Sequence, residues 1–416
     1  MSDDVIQDMV VLAECRICQS KKLERFISLG PIPLANSFLR SDQLAQAEDY
    51  YPLDVCYCND CGLVQLAQVV SPQVLFKDYA YQTGTSDPLK VHFGKLAENI
   101  VQRFGFPIGS FIVDIGSNDG TLLANFKTHG MRALGVEPAG NIAQLASKRG
   151  IETLSDFFDK NLAHKIFLNW GHARVITATN VFAHVHDLKN FVEGISYLMT
   201  DDGVFVIEVP YLMDMLAKVE FDTIYHEHLS YFALRPLITL FRKFGMSVSQ
   251  VERIKIHGGS LRVYVEKTKQ RLPSSVTELL ELEVASGMFS MKAYKKFAED
   301  TDKIREELVL LLKGLKKQRK KITGYGAPAK GNVLLNYCKI GTDILDFITD
   351  TTPFKQGRYT PGMHIPVVPE THFHELKPDY ALLLAWNYAD EIRKKESSYL
   401  KAGGKFIVPI PTPRIV

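Results

Sequence analysis

The chain has 416 residues, 46% of them hydrophobic and 23% charged, with a formal net charge of +2. This length points to two or three domains, the composition is that of a folded globular protein, and the charge is too small for nucleic acid or an anionic membrane to be the main partner. The first residues, MSDDVIQDMV, lack a basic stretch before a long apolar core, and the longest apolar runs, such as Tyr380–Trp386, fall far short of a membrane span, so no signal peptide and no membrane segment are expected.

The expected compartment is therefore the cytosol, where thiols stay reduced and clustered cysteines are read as metal ligands. Five of the six cysteines lie before residue 62. Cys15-Arg-Ile-Cys18 and Cys58-Asn-Asp-Cys61 are two C-x2-C knuckles 39 residues apart. Each knuckle can offer two thiolates to one ion, and zinc favours closed four-thiolate coordination. Such a site has no open position for water, so its role is structural. Cys56 in place of Cys58 would give a C-x4-C spacing, a poorer fit. The remaining cysteine, Cys338, stands alone.

A second region opens with a helical stretch, Pro88–Phe104. Strand-like runs then alternate with helical ones: Phe111–Ile115, Ala133–Glu137, Val175–Thr179 and Gly203–Val209. This alternation predicts a parallel sheet covered by helices. Met246–Ile256 and Leu261–Glu266, joined at His257-Gly-Gly-Ser260, read as an antiparallel hairpin. Residues from about Ser274 to Lys321 are expected to be mostly helical, and the basic run Lys313–Lys321 reads as a solvated helix end whose positive charge suits the macrodipole. A third region repeats the layout of the second. Strand Ile322–Gly324, a glycine turn, helix Asn332–Cys338 and strand Ile344–Asp350 are followed by strands Ala381–Ala385 and Lys405–Val408.

In Phe111-Ile-Val-Asp-Ile-Gly-Ser-Asn-Asp-Gly-Thr-Leu-Leu123 a strand runs through a tight turn into a helix. Gly116 and Gly120 allow a ligand close to the backbone, and the helix start offers free N–H groups. Glu137 follows Gly120 by 17 residues at the end of the next strand, where a carboxylate can accept hydrogen bonds from ribose hydroxyls. A dinucleotide fingerprint would read G-x-G-x-x-G. Here Asp114 is followed by G-x-x-x-G, and Asn118 takes a position that tolerates left-handed backbone. That order resembles motif I of the class I S-adenosylmethionine-dependent methyltransferases, whose sheet also ends in an antiparallel hairpin.

Two segments carry His-x-His. They are Asn180-Val-Phe-Ala-His184-Val-His186-Asp187, after the strand Val175–Thr179, and Tyr225-His226-Glu227-His228. A binuclear hydrolase motif, H-x-H-x-D-H, fails because Asp187 directly follows His186 and Leu188 and Lys189 come next. The first segment falls at the C-terminal edge of the sheet, where open α/β folds bind ligands. The pattern alone does not choose which histidine titrates.

Taken together, these segments resemble the C-methyltransferases that act on TDP-linked 4-keto-deoxysugars. The likeness spans nearly the whole chain. It rests on the Cys15 and Cys58 knuckles, Gly30-Pro-Ile-Pro-Leu-Ala-Asn36, Tyr79-Ala-Tyr81, Asp114–Gly120, Asn180–Asp187, Phe221–His228, His257–Ser260, Gly324-Tyr-Gly-Ala-Pro-Ala-Lys-Gly331 and Lys355-Gln-Gly-Arg358. The resemblance implies a zinc-binding domain at 1–78, a Rossmann-like methyltransferase domain at 79–270, and a helical connector with a C-terminal Rossmann-like domain for the sugar nucleotide at 271–416. It implies His228 as the base, with Tyr225 and Glu227 beside it, and places His184 and Tyr79 at the reaction centre. Asp114, Gly116, Asn118, Asp119, Gly120, Glu137, Asp156 and Asn180 are the cofactor candidates. Tyr81, Lys330, Asn332, Lys355 and Arg358 are the substrate candidates. The implied cofactors are S-adenosylmethionine and structural zinc, and the expected state is a monomer.

The chemistry this implies is physically reasonable. A ketone at C4 acidifies the C3 proton, and a histidine titrating near neutral pH can remove it. Donors aimed at the enolate oxygen stabilise it, with Tyr79 and His184 as candidates. A Glu227 carboxylate close to His228 would raise its basicity. Two rivals remain at this level. A nicotinamide-dependent nucleotide-sugar oxidoreductase would use Gly324-Tyr-Gly and Asp350, but position 329 is Ala and Gly331 falls two residues late. A non-catalytic zinc-scaffolded adaptor would show no thermal stabilisation by S-adenosylmethionine.

Overall fold

The computed structural model describes residues 8–75, 84, 87–256, 258–267 and 272–416. Tyr79, Tyr81 and His257 lie outside the described residues.

The N-terminal region folds as an antiparallel sheet of Leu23–Ile32, Tyr51–Cys58 and Val64–Leu66. Its outer strand comes from far down the chain. Ser230–Tyr231, just after the Tyr225–His228 segment, pairs with Val64–Gln65. The two knuckles sit at one end of this sheet. Cys15, Ile17, Cys58, Cys61 and Leu63 are buried in the core of the central domain, whereas Ile27, Leu29, Leu53 and Val55 join the core of the C-terminal region. The N-terminal sheet is thus packed between the other two regions, its knuckle end joining one core and its strands the other.

The central sheet has seven strands in the order Ser247–Ile254, Ser260–Glu266, Met199–Pro210, Ala173–Thr179, Phe111–Ile115, Arg132–Val136, Thr153–Leu154. Only Ser260–Glu266 runs antiparallel, inserted between two strands of the opposite direction. This is the class I methyltransferase arrangement, and the expected hairpin provides its far edge. The inner strands are mostly buried and mainly apolar, as parallel strands covered on both faces must be, with Asp114 and Glu208 buried among the apolar residues. The first strand in sequence, Phe111–Ile115, lies beside Ala173–Thr179, so the chain order reverses there and a crevice opens at the strand ends.

The C-terminal sheet repeats the pattern. Its order is Val367–Val368, Ile348–Thr349, Ile322–Tyr325, Tyr380–Leu383, Lys405–Val408, Arg414–Ile415, with only the last strand antiparallel. The strand expected over Ile344–Asp350 is reduced to Ile348–Thr349. Ile344 and Leu345 are buried, but their N–H groups both bond the Gly341 carbonyl, closing a turn. An apolar run alone does not distinguish a strand from a buried turn. Helices Ser274–Ala285 and Met291–Lys317 connect the two sheets. The basic run closes the second helix, with Lys316 and Lys320 paired to Asp346 and Asp379. Among the described residues, no helix is long and apolar enough to cross a membrane.

Candidate active site

The sulfur atoms of Cys15, Cys18, Cys58 and Cys61 lie within 4.8 Å of one another. Cys15 and Cys61 approach to 3.5 Å, as do Cys18 and Cys58. Four thiolates at zinc–sulfur distances of about 2.3 Å are about 3.8 Å apart in a tetrahedron, so the donor set and its spacing fit one structural zinc. Cys56 is buried on the same strand as Cys58, two residues earlier, and stands outside the group. Between the first two ligands, Arg16 reaches across to the central domain. Its guanidinium donates to the carbonyls of Val185 and His186, and its own N–H bonds Gln65 at 2.9 Å. The zinc knuckle thereby holds the loop that carries His184.

A cleft of about 1880 Å³ opens at the strand-order reversal and is lined by all three regions. At its central-domain end, Gly116 (φ +65°) bonds the Val136 carbonyl, and a β-carbon there would lie 2.2 Å from Val181. Asn118 is left-handed (φ +49°), as its place in the turn requires. Glu137 projects from the end of the next strand. Its two carboxylate oxygens accept from the N–H groups of Asn118 and Ala139, at 3.0 and 2.9 Å. Burial raises its pKa, and these two donors oppose the rise. Asp114 sits below, pushed up to about 7 chiefly by burial although the Thr177 hydroxyl donates to it at 2.6 Å. Asp156 and Asn180 also line the cleft. A fixed acid opposite a glycine turn that lines the cleft suits an adenosyl ligand.

Asp119 and Gly120 are not among the described residues that line the cleft. Asp119 pairs with Arg149 at 2.9 Å and accepts from the Thr121 hydroxyl at 2.6 Å. Gly120 (φ +76°) faces Ile151, which a β-carbon would meet at 2.8 Å. Both residues build the turn from behind.

In the middle of the cleft, Tyr225 and His228 form a pair. The Tyr225 hydroxyl is 2.7 Å from His228 Nε2, and His228 Nδ1 is 2.9 Å from the Thr223 carbonyl. A carbonyl only accepts, so Nδ1 carries a proton and Nε2 of the neutral ring is the acceptor facing Tyr225. The His184 ring stands edge-on to His228 at 4.9 Å, and burial pushes its pKa down to about 4, keeping it neutral. The Glu227 carboxyl accepts from Asn36 Nδ2 at 2.6 Å and is pushed up to about 7 by burial. His226 points the other way, to the carbonyls of Tyr51 and Pro52 at 3.2 and 3.3 Å, and fastens the segment to the N-terminal sheet.

The third end is built by the C-terminal region. Lys330, Lys355 and Arg358 line it. Lys330 Nζ lies 3.4 Å from Glu220, Lys355 Nζ donates to the Ala327 carbonyl at 2.9 Å, and Arg358 stacks on Phe354 at 4.0 Å. The local geometry copies the cofactor end. Gly326 N–H bonds the Thr349 carbonyl as Gly116 bonds Val136, and Asp350 accepts from Ala327 and Thr352 as Glu137 accepts from Asn118 and Ala139. Here, however, Lys355 Nζ lies 3.5 Å from the acid. Asn332 is 1% exposed, its amide donates to the Ala35 carbonyl at 2.7 Å, and it joins two regions. Sequence reasoning missed Asn36 and Arg16 as functional candidates. Each lies within a motif that was singled out, but only the fold shows what its side chain reaches.

Three family models match consecutive stretches. They are described as "Putative zinc binding domain" over residues 15–76, "Methyltransferase domain" over 91–251 and "C-methyltransferase C-terminal domain" over 255–411. The C-methyltransferase NovU of Streptomyces niveus is 39% identical over 414 residues, covering 99% of both chains. Among solved structures, magnesium protoporphyrin IX methyltransferase ChlM of Synechocystis PCC 6803 is 11% identical, covering 47% of this chain and 92% of its own at a TM-score of 0.36. An S-adenosylmethionine-dependent methyltransferase of Clostridium acetobutylicum is 11% identical, covering 44% and 93% at 0.35.

Proposed function

The chain belongs to the S-adenosylmethionine-dependent C-methyltransferases with an N-terminal zinc-binding domain, and we propose that it methylates C3 of a TDP-linked 4-keto-6-deoxyhexose through an enolate. The observation that carries this reading is one continuous cleft, with Glu137 at one end, the Tyr225–His228 pair in the middle and three cations at the other. The nicotinamide-dependent alternative finds no support, since full-length similarity runs to a C-methyltransferase. We take the enzyme to act as a cytosolic monomer.

S-adenosylmethionine supplies an electrophilic methyl group when bound. The residues of the chain do the rest. Glu137 receives the ribose hydroxyls, and the turn at Gly116 lets the adenosyl group approach the backbone. Lys330, Lys355 and Arg358 take the diphosphate, where planar and point cations both suit phosphate oxygens. The C3 proton leaves to the Tyr225–His228 pair. With Nε2 already accepting from the phenol, the phenol oxygen can take the proton as it passes its own to His228. His184, neutral by burial, offers a donor to the enolate oxygen without adding a charge. Tyr79 and Tyr81 keep the roles that the family resemblance implies.

Incubation with a panel of nucleotide ketosugars and labelled methyl donor, followed by product mass, tests the acceptor directly. Methylation of a TDP-4-keto-6-deoxyhexose at C3 is expected, and label on oxygen or on no member of the panel would overturn the reading. Two variants divide the cleft. Glu137→Ala should weaken methyl-donor binding by about 10-fold or more, the value of a charge-assisted hydrogen bond, and leave sugar-nucleotide affinity nearly intact. Calorimetry with S-adenosylhomocysteine reads this. Arg358→Ala should do the opposite, raising KM for the sugar nucleotide by about 10-fold with donor binding unchanged. Unaltered kinetics in Arg358→Ala would remove that residue from the diphosphate site.

A further inference from the structure

The N-terminal region brings one polar side chain into the cleft beside the proton-transfer pair. The loop after the strand Leu23–Ile32 carries Asn36 to the cleft wall, where its amide meets Glu227 at 2.6 Å. Glu227 is 5% exposed, and the Asn36 amide is what holds one of its oxygens. Glu227 is also bounded in the chain by two fixed neighbours. His226 is tied to the N-terminal sheet and His228 to the Thr223 carbonyl. The loop itself is fastened from the opposite side. Asn332, buried on the helix Ala329–Cys338, donates to the carbonyl of Ala35, the residue next to Asn36. Asn336, one turn later, donates to Asn332 and to the Pro361 carbonyl. A run of hydrogen bonds therefore leads from the helix that bears Lys330, at the proposed diphosphate end, through the N-terminal loop to a carboxyl at the proposed reaction centre.

We propose that Asn36 is a positioning residue for Glu227, and that Asn332 acts on the same carboxyl through the Ala35–Asn36 backbone. The N-terminal region would then contribute to turnover directly, in addition to holding zinc. The physical reason is that a buried carboxyl with no fixed donor can swing between rotamers, and a misplacement of about 1 Å at a reacting centre costs on the order of 100-fold. The amide fixes the rotamer without introducing a charge. It also favours the ionised carboxylate, opposing the burial that disfavours it. Because the anchor comes from another region of the chain, the central domain alone would not hold Glu227 in this way.

The proposal rests on the reading, implied by the family resemblance, that Glu227 stands beside His228 at the reaction centre, and the test separates the two. Full-length, zinc-loaded Asn36→Ala, Glu227→Gln and the double variant are compared with wild type. Asn36→Ala should lower kcat by about 10- to 100-fold with KM for S-adenosylmethionine unchanged and zinc content intact. In the Glu227→Gln background the same change should cost almost nothing further, since the group it positions has already been altered. Asn332→Ala should reproduce the kcat loss in weaker form. Independent, multiplying losses in kcat would overturn the proposal, as would a loss confined to KM. Melting needs no substrate, and there the cycle uses Glu227→Ala, because a glutamine can still accept from the Asn36 amide. Non-additive melting temperatures are expected, and additive ones would overturn the proposal. If Glu227→Gln alone leaves kcat at the wild-type value, the placement of Glu227 at the reaction centre fails instead, and a non-additive melt then confines Asn36 to stability.

Discussion

His228→Asn should bind both substrates and methylate at least about 10²–10⁴-fold more slowly than wild type, the usual contribution of a positioned general base. His228 Nδ1 is committed to the Thr223 carbonyl and Nε2 faces the Tyr225 hydroxyl at 2.7 Å. An asparagine keeps the size and some of the hydrogen bonding but cannot accept a proton at neutral pH. The loss should therefore appear in kcat, with KM values close to wild type. A sharper measurement uses heavy water with the sugar nucleotide and S-adenosylhomocysteine, which fills the donor site without a methyl group to give. Wild-type enzyme should wash deuterium into C3, and His228→Asn should not. Tyr225→Phe separates a relay from direct abstraction. If the phenol passes the proton, washout falls as far as in His228→Asn; if Nε2 takes it directly, washout persists. Undiminished washout in His228→Asn would move the base elsewhere, with His184 first in line, although a histidine pushed down to about 4 is a weak base.

Loss of one zinc ligand should be the most damaging change to folding. Cys58 is fully buried within 3.5 Å of Cys18. Structural zinc contributes about 10–16 kcal/mol in small finger peptides at neutral pH, comparable to the whole stability of a typical domain, about 5–15 kcal/mol. Cys58→Ser is expected to leave little zinc by metal analysis, to lower the melting temperature sharply and to reduce soluble yield. Cys56→Ser should keep its zinc. A structural role alone would leave the turnover of surviving folded protein nearly intact. The structure adds a reason for turnover to fall as well: Arg16, between two ligands, holds the carbonyls of Val185 and His186 next to His184. Arg16→Ala, with all four cysteines present, isolates that part. It should retain zinc and lose turnover. Stable, active, zinc-free Cys58→Ser protein would overturn the structural assignment.

Several features were legible in the residues because they depend on local chemistry. Two C-x2-C knuckles specify a four-sulfur site wherever the chain brings them together. A left-handed turn at Gly116 and Asn118 and an acid at the next strand end follow from backbone sterics and strand length. The alternation of apolar strands and helices fixed the layered α/β class, and the repeated layout foretold two sheets of similar order. What the residues alone could not show was direction across space. Asn332 directly follows a glycine-rich turn motif and Asp119 lies in a cofactor motif, yet one bonds Ala35 and the other Arg149, because a side chain's partner depends on what the fold packs against it. Likewise His226 and His228 are two residues apart, yet one is held to the Tyr51 and Pro52 carbonyls of the N-terminal sheet and the other lines the cleft. Motifs state which chemistry is available locally, whereas long-range packing decides which groups meet, and Asn36 meets Glu227 across 191 residues of chain for that reason alone.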